Sequence, residues 1–154
     1  MKYRVSYCKL VIILFAVSYT AVAQSAKQSV RINHTAIFVK DLQTTKAFYE
    51  KVIGLDTIPE PFHDGKHAWY SVGPGVSLHV IQGATEKKDY YKNQHTCFSV
   101  SSVENFVALL AKNNIVWEDV KGQQKAITTR VDGVKQIWLQ DPDGYWLEIN
   151  DAKE

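Results

Sequence analysis

From Val30 to Val39 apolar, mostly β-branched positions dominate, and this pattern predicts a strand. Asp41 then offers a helix cap, Thr45, Phe48, Tyr49 and Val52 recur at helical spacing, and Gly54 stops the helix. Residues 55–59 and 66–72 read as strands around a His63-Asp64-Gly65 turn, and Val76 to Ile81 reads as another after Gly-Pro-Gly. The order is βαβββ. A charged stretch, Ala84 to Asn93, follows and is read as a solvated hinge, with Lys87, Lys88, Tyr90 and Tyr91 the residues in it able to grip an anion. The order then restarts with a strand over Gln94 to Val100, a capping box of Ser101 with Glu104, and a helical stripe of Val103, Phe106, Val107 and Leu110. Strands are expected near 116–120, 126–131, 134–140 past an Asp132-Gly133 turn, and 145–150.

The two units repeat each other in residue identity as well as in order. At an offset of 61, His34-Thr35 falls on His95-Thr96 and Val39 on Val100. At an offset of 69, Lys66 falls on Lys135, Trp69 on Trp138, Gly75 on Gly144, Leu78 on Leu147, and His79 on Glu148. The eight extra residues fit in the loop around 120–133. A repeat of this length describes two packed supersecondary units.

Strand alternation sends Thr35, Ile37 and Val39 to the helix-packed face and His34, Ala36 and Phe38 to the other. The same parity groups His95, Cys97 and Ser99, and it sets His79 with Ile81, and Glu148 with Trp146 and Asn150, away from the core. His34, His79, His95 and Glu148 therefore share the face opposite the helices. A curved sheet with that face concave makes a cleft lined by Phe38, Trp69, Trp138 and Trp146, as packing residues or as a substrate wall. Cys97 has the parity of the cleft, as a substrate contact, an oxidation-sensitive thiol or a small buried residue. His63 and His67 flank a turn outside the repeat pattern and are read as solvent-facing.

A lone strand histidine is more often a surface or satisfied residue than a ligand. Four metal-competent groups at repeat-equivalent positions with one parity are hard to assign to coincidence. Three imidazoles and a carboxylate suit one divalent ion: zinc, nickel, iron, cobalt or manganese. Such an ion keeps a position open for substrate oxygens or water.

Composition changes this picture at the N-terminus. Lys2, Arg4 and Lys9 precede an apolar run, Leu10 to Tyr19, and a small-residue site, Ala21-Val22-Ala23, so residues 1–23 read as a cleaved secretory signal. The run is too short for a mature spanning helix, and Cys8 precedes it, where a lipid-modified cysteine would follow. Losing the three basic residues takes the formal net charge from +2 to −1, which leaves no footprint for nucleic acid or anionic membrane. The product is expected to be exported, periplasmic or secreted, with one cysteine, Cys97, and hence no internal disulfide.

The segments "INHTAIFVKDLQTTKAFYEKVIGL", "GPGVSLHVIQG", "QHTCFSV" and "IWLQDPDGYWLEIN" resemble the vicinal oxygen chelate superfamily. That superfamily includes glyoxalase I, methylmalonyl-CoA epimerase, extradiol dioxygenases and fosfomycin- and bleomycin-resistance proteins. The last segment is the most specific, since its Asp141-Pro142-Asp143-Gly144 turn followed by Glu148 is similar to the closing strand of glyoxalase I. The resemblance implies an α+β fold, two paired βαβββ modules forming a cupped mixed sheet with helices on its outer face. It places one domain over 30–151, with module one about 30–83 and module two about 93–151. It implies metal ligation by His34, His79, His95 and Glu148, with Glu148 also moving a proton, and a small substrate chelated through vicinal oxygens. The modules sharing a site belong to one chain or to two, so a homodimer is expected. Glyoxalase I usually carries glutamate where this chain has His79. The leading expectation is a glyoxalase-type lyase or isomerase. The alternatives are an extradiol-type iron dioxygenase and a non-catalytic binding or resistance protein.

Overall fold

The expected βαβββ order occurs twice. The computed structural model describes residues 29–153, so the leader expected over 1–23 lies outside them. Module one runs β1 (His34–Val39), α1 (Leu42–Phe48), a π-helical turn (Tyr49–Ile53), β2 (Thr57–Ile58), β3 (His67–Gly73) and β4 (Val76–Gln82). Module two runs β5 (His95–Ser99), α2 (Val103–Lys112), β6 (Thr128–Thr129), β7 (Lys135–Gln140) and β8 (Trp146–Asn150). Each module forms a four-stranded mixed sheet, ordered β1-β4-β3-β2 and β5-β8-β7-β6, whose first pair is parallel and the rest antiparallel.

Local chemistry sets the boundaries. Asp41 caps α1 by accepting the Thr44 N–H at 2.6 Å, and this bond holds its carboxyl below the usual range. Gly54 ends the helical segment at φ 83°, a left-handed conformation that glycine takes without a Cβ penalty. The cap of α2 is Ser102, one residue beyond the expected Ser101: its hydroxyl accepts from Asn105 N–H and donates to Glu104. The strand expected near 116–120 reduces to a bridge at Glu118, paired with Trp138 and Gln124. The reason is Asp119, whose carboxylate takes the N–H groups of Lys121 and Gln123, both at 2.8 Å, and turns the chain.

One apolar cluster joins both modules. Ile37, Val39, Tyr49, Tyr70, Leu78 and Val80 from the first pack with Val103, Leu110, Ile137, Leu139, Leu147 and Ile149 from the second. The alternate strand residues are the outward ones. Thus β1 buries Ile37 and Val39 while His34, Ala36 and Phe38 stay exposed; Thr35, expected on the buried face, is exposed at the strand's start.

The Asp141-Pro142-Asp143-Gly144 turn clasps the modules together. Asp141 is buried and accepts from the N–H groups of Asp143 and Tyr145 and from the Tyr49 hydroxyl at 3.1 Å. Asp143 accepts the Thr45 hydroxyl at 2.9 Å and the Lys40 N–H at 2.8 Å. Burial raises the Asp141 carboxyl to about 6 despite the bonds it receives. Tyr90 does not behave as part of a solvated hinge. Its ring stacks on Tyr145 at 4.2 Å and its carbonyl accepts the Trp146 indole N–H, so the chain between the modules is held against this turn. A Cβ at Gly144, φ 96°, would lie 3.0 Å from the Lys88 carbonyl.

Candidate metal centre

The outward face of module one carries a column of three parallel rings. Trp69 and His79 are direct partners across β3 and β4, and their rings stack at 3.9 Å with an interplanar angle of 1°. His34, diagonal to His79 across the parallel pair, stacks on its other side at 4.2 Å and 6°. Ring faces locked in this way leave the imidazoles only in-plane nitrogens with which to act. His34 engages Asn33 Oδ1 through Nδ1 at 2.8 Å, and His79 engages Ser77 Oγ through Nε2 at 2.9 Å. One nitrogen of each remains uncommitted, Nε2 of His34 and Nδ1 of His79. Burial, with smaller contributions from His34 and His67, holds the His79 imidazole below its usual range and so keeps it neutral.

Module two builds the same arrangement with different chemistry. Registers agree position by position: Ala36 faces His79 as Cys97 faces Glu148, and Trp69 faces His79 as Trp138 faces Glu148. His95 engages the Lys92 carbonyl through Nδ1 at 3.2 Å, leaving Nε2 3.3 Å from Glu148 Oε2. Glu148, 8% exposed, is fixed at its other oxygen by the Asn150 amide at 3.0 Å. Trp138 meets His95 edge-on at 4.3 Å. The indole Nε1 atoms of Trp69 and Trp138 are both buried with no acceptor among the described residues.

All four expected ligands thus occupy the expected face, but as two pairs. Among the described residues no group of three or more metal-competent side chains comes together. In each pair one atom per side chain is anchored, the pattern by which supporting hydrogen bonds orient metal ligands; the other atoms are uncommitted in module one and face each other at 3.3 Å in module two. The expected wall divides too. Trp69 and Trp138 touch candidate ligands. Trp146 borders a cleft of about 220 Å³ with His95, its indole tied to Tyr90 and Lys92 lying 4.8 Å from its ring. Phe38, half exposed, turns its ring onto Gly83, where an added Cβ would meet it at 2.7 Å.

Two residues differ from expectation. Cys97 is exposed, so it is not a small buried residue. Even so, partial burial and the neighbouring Glu148 carboxylate push its thiol up to about 12, which disfavours the thiolate that oxidation or metal binding needs. His67 is not solvent-facing: its side chain is 17% exposed and lies on the same face as Trp69. The sequence held the signal, because 67 and 69 share parity in the predicted strand. His63 does face solvent.

Comparison with known proteins agrees with this architecture. A family model for the Glyoxalase/Bleomycin resistance protein/Dioxygenase superfamily matches residues 31–149. The lactoylglutathione lyase of Pseudomonas putida is 27% identical over 84% of this chain and 90% of its own length. That of Schizosaccharomyces pombe is also 27% identical, and the chain spans 48% of it. Among solved structures, the oxidase ChaP-H2 superposes with a TM-score of 0.67 at 22% identity, over 82% of this chain and 96% of that one. The fosfomycin resistance protein FosX of Listeria monocytogenes, solved with Mn(II) and 1S,2S-dihydroxypropylphosphonic acid, gives 0.63 at 19%, over 82% and 93%. With paired βαβββ modules, repeat-equivalent registers and a family match across nearly all of the described residues, the chain belongs to the Glyoxalase/Bleomycin resistance protein/Dioxygenase superfamily.

Proposed function

We propose that this protein is an exported, metal-dependent lyase or isomerase of the glyoxalase type, whose site forms where the His34–His79 pair of one copy meets the His95–Glu148 pair of a second. One observation carries the reading. Four side chains at repeat-equivalent positions are each anchored through one atom, yet one chain supplies them as two incomplete pairs. The donor set, three imidazoles and a carboxylate, fits a borderline divalent ion. When bound, such an ion would polarise a substrate carbonyl and stabilise charge developing on its oxygens.

The chain's own residues do the rest. Asn150 holds Glu148 Oε1, so Oε2 is the oxygen that takes a proton from a carbon beside the carbonyl and returns it to the adjacent carbon. Trp69 and Trp138 back the ligands and narrow water access. The substrate class is an α-oxoaldehyde hemithioacetal, in line with the lactoylglutathione lyases among the relatives. Export rests on the leader at 1–23.

Elemental analysis of purified protein, with turnover of a methylglyoxal hemithioacetal, tests this reading. Glu148→Gln is expected to lower turnover at least about 100-fold, the lower end of the range for a lost proton-transfer group. Absence of bound divalent metal together with absence of wild-type turnover would sink it. A second reading draws on His79, which makes the set richer in imidazole than a site with two glutamates and leaves room for two-His-one-carboxylate iron chemistry. Oxygen uptake with a catechol by iron(II)-loaded protein is the outcome that would favour it.

A further inference from the structure

Replacing a glutamate by His79 removes a proton carrier from module one, and the structure places another titratable group nearby on the same face. On β3, Ala68 and Tyr70 enter the core, so His67 shares with Trp69 the opposite face, the one that carries the ring column. His67 is opposite Ile81 and Trp69 opposite His79, which makes His67 and His79 diagonal neighbours on adjacent strands, about 7 Å apart by ordinary sheet geometry.

The orientation of His67 is controlled from behind. Its Nδ1 lies 2.9 Å from Asp64 Oδ1, and that same oxygen accepts the Lys66 N–H at 2.9 Å. The Asp64 carboxyl is held below its usual range, first by the bond to His67 and then by Lys66, so it stays an acceptor. Phe62 covers the imidazole with ring centroids 4.4 Å apart. With Nδ1–H given to a carboxylate, Nε2 carries the lone pair, the same division of roles that equips histidine for acid–base work in hydrolases. The repeat-equivalent residue in module two is Gln136, which cannot carry a proton. The dyad is therefore particular to module one, the half that lacks a metal-site carboxylate.

We propose that His67, held in its Nδ1–H tautomer by Asp64, is a second catalytic residue that relays a substrate hydroxyl proton through Nε2. The inference rests on the lyase reading above and divides its proton traffic. In converting a hemithioacetal to a thioester, the hydrogen on the sulfur-bearing carbon must move to the neighbouring carbon, and the hydroxyl hydrogen must move between the two oxygens. Glu148 takes and returns the first. His67 accepts the second as the new carbonyl forms and delivers it to the other oxygen. Both residues end as they began, and no oxidant or reductant is consumed. Asp64 is a positioning residue.

The test uses the metal-loaded, full-length protein with two probes: methylglyoxal hemithioacetals of glutathione and of cysteine for turnover, and hydroxyacetone in D2O for carbon–hydrogen exchange. His67→Gln is expected to lower kcat about 10- to 100-fold with KM within about threefold, while hydroxyacetone exchange stays within about twofold. Glu148→Gln is expected to abolish both. Asp64→Asn, at an exposed position, is expected to lower kcat about 10-fold, and nitrogen NMR of the metal-free protein should show His67 shifting from the Nδ1–H to the Nε2–H tautomer. Unchanged kcat in His67→Gln or in Asp64→Asn overturns the relay, as does equal loss of turnover and exchange in His67→Gln. Wild-type protein inert to both probes overturns the lyase reading itself, a result distinct from an active enzyme indifferent to His67.

Discussion

Glu148 sits among three groups that each restrict it. Asn150 binds one oxygen, His95 approaches the other at 3.3 Å, and Trp138 is its cross-strand partner. Asn150 is itself held, accepting from the Ser99 hydroxyl and the Ala152 N–H, both at 3.2 Å, while its amide also reaches Cys97 Sγ at 3.1 Å. An amide is the right group here, since it donates to a carboxylate without adding charge. Asn150→Leu fills similar volume but frees Glu148 to rotate. Divalent metal affinity, read by competition with a chromogenic chelator, is expected to fall about 10- to 100-fold, the usual loss when an orienting partner of a ligand is removed. An unchanged affinity would mean that the strand alone positions the carboxylate. Module one solves the same problem with Ser77, two residues before His79 where Asn150 stands two after Glu148, so the repeat conserves geometry and not residue identity.

At the scale of elements, the conspicuous Asp141-Pro142-Asp143-Gly144 motif acts as a clasp. Its carboxylates reach Tyr49, Thr45 and Lys40 around α1, where they stay well placed only while both modules are folded. Thr45→Val removes one donor from buried Asp143 and is expected to cost about 1–3 kcal/mol in chemical denaturation. The raised Asp141 carboxyl gives the clasp a pH signature. Its folded value, about 6, lies above that of an unfolded aspartate, so its favourable contribution is full below about pH 4 and is lost as pH rises through 6. Asp141→Asn keeps an acceptor for the two N–H groups but cannot titrate. Between pH 4 and 7 the wild type should therefore lose on the order of 1–3 kcal/mol relative to this variant. A constant difference in Tm across that window would contradict the assignment.

For the whole molecule, the proposed function turns on the four candidate ligands lying as two separate pairs. A variant lacking the first pair, His34→Ala with His79→Ala, and one lacking the second, His95→Ala with Glu148→Gln, are each expected to bind no metal alone. After subunit exchange, a mixed dimer rebuilds one intact site from the surviving halves, and bound metal should return to one ion per two chains. If exchange is verified by mass and no metal returns, the site is not shared between copies.

Element order, the repeat, and which face carries His34, His79, His95 and Glu148 were legible in the sequence, because alternation and helical spacing are local consequences of backbone geometry. So were the Asp41 cap and the Gly54 stop. The break in the strand expected over 116–120 was not, because the turn at Asp119 depends on side chain-to-backbone bonds that compete with strand pairing. Nor was the linker's attachment through Tyr90, a long-range stack on Tyr145. His67 was misassigned by its nearness to a turn, although its parity pointed to the site. The sequence by itself determined the two modules, the family and the side-chain chemistry of each candidate ligand. Only the tertiary structure decided that the candidate ligands fall into two anchored pairs, that Asp141 and Asp143 bind the two modules to each other, and that His67 is oriented by Asp64. Those outcomes depend on distances between residues far apart in the chain or on side-chain orientation, which no local pattern encodes.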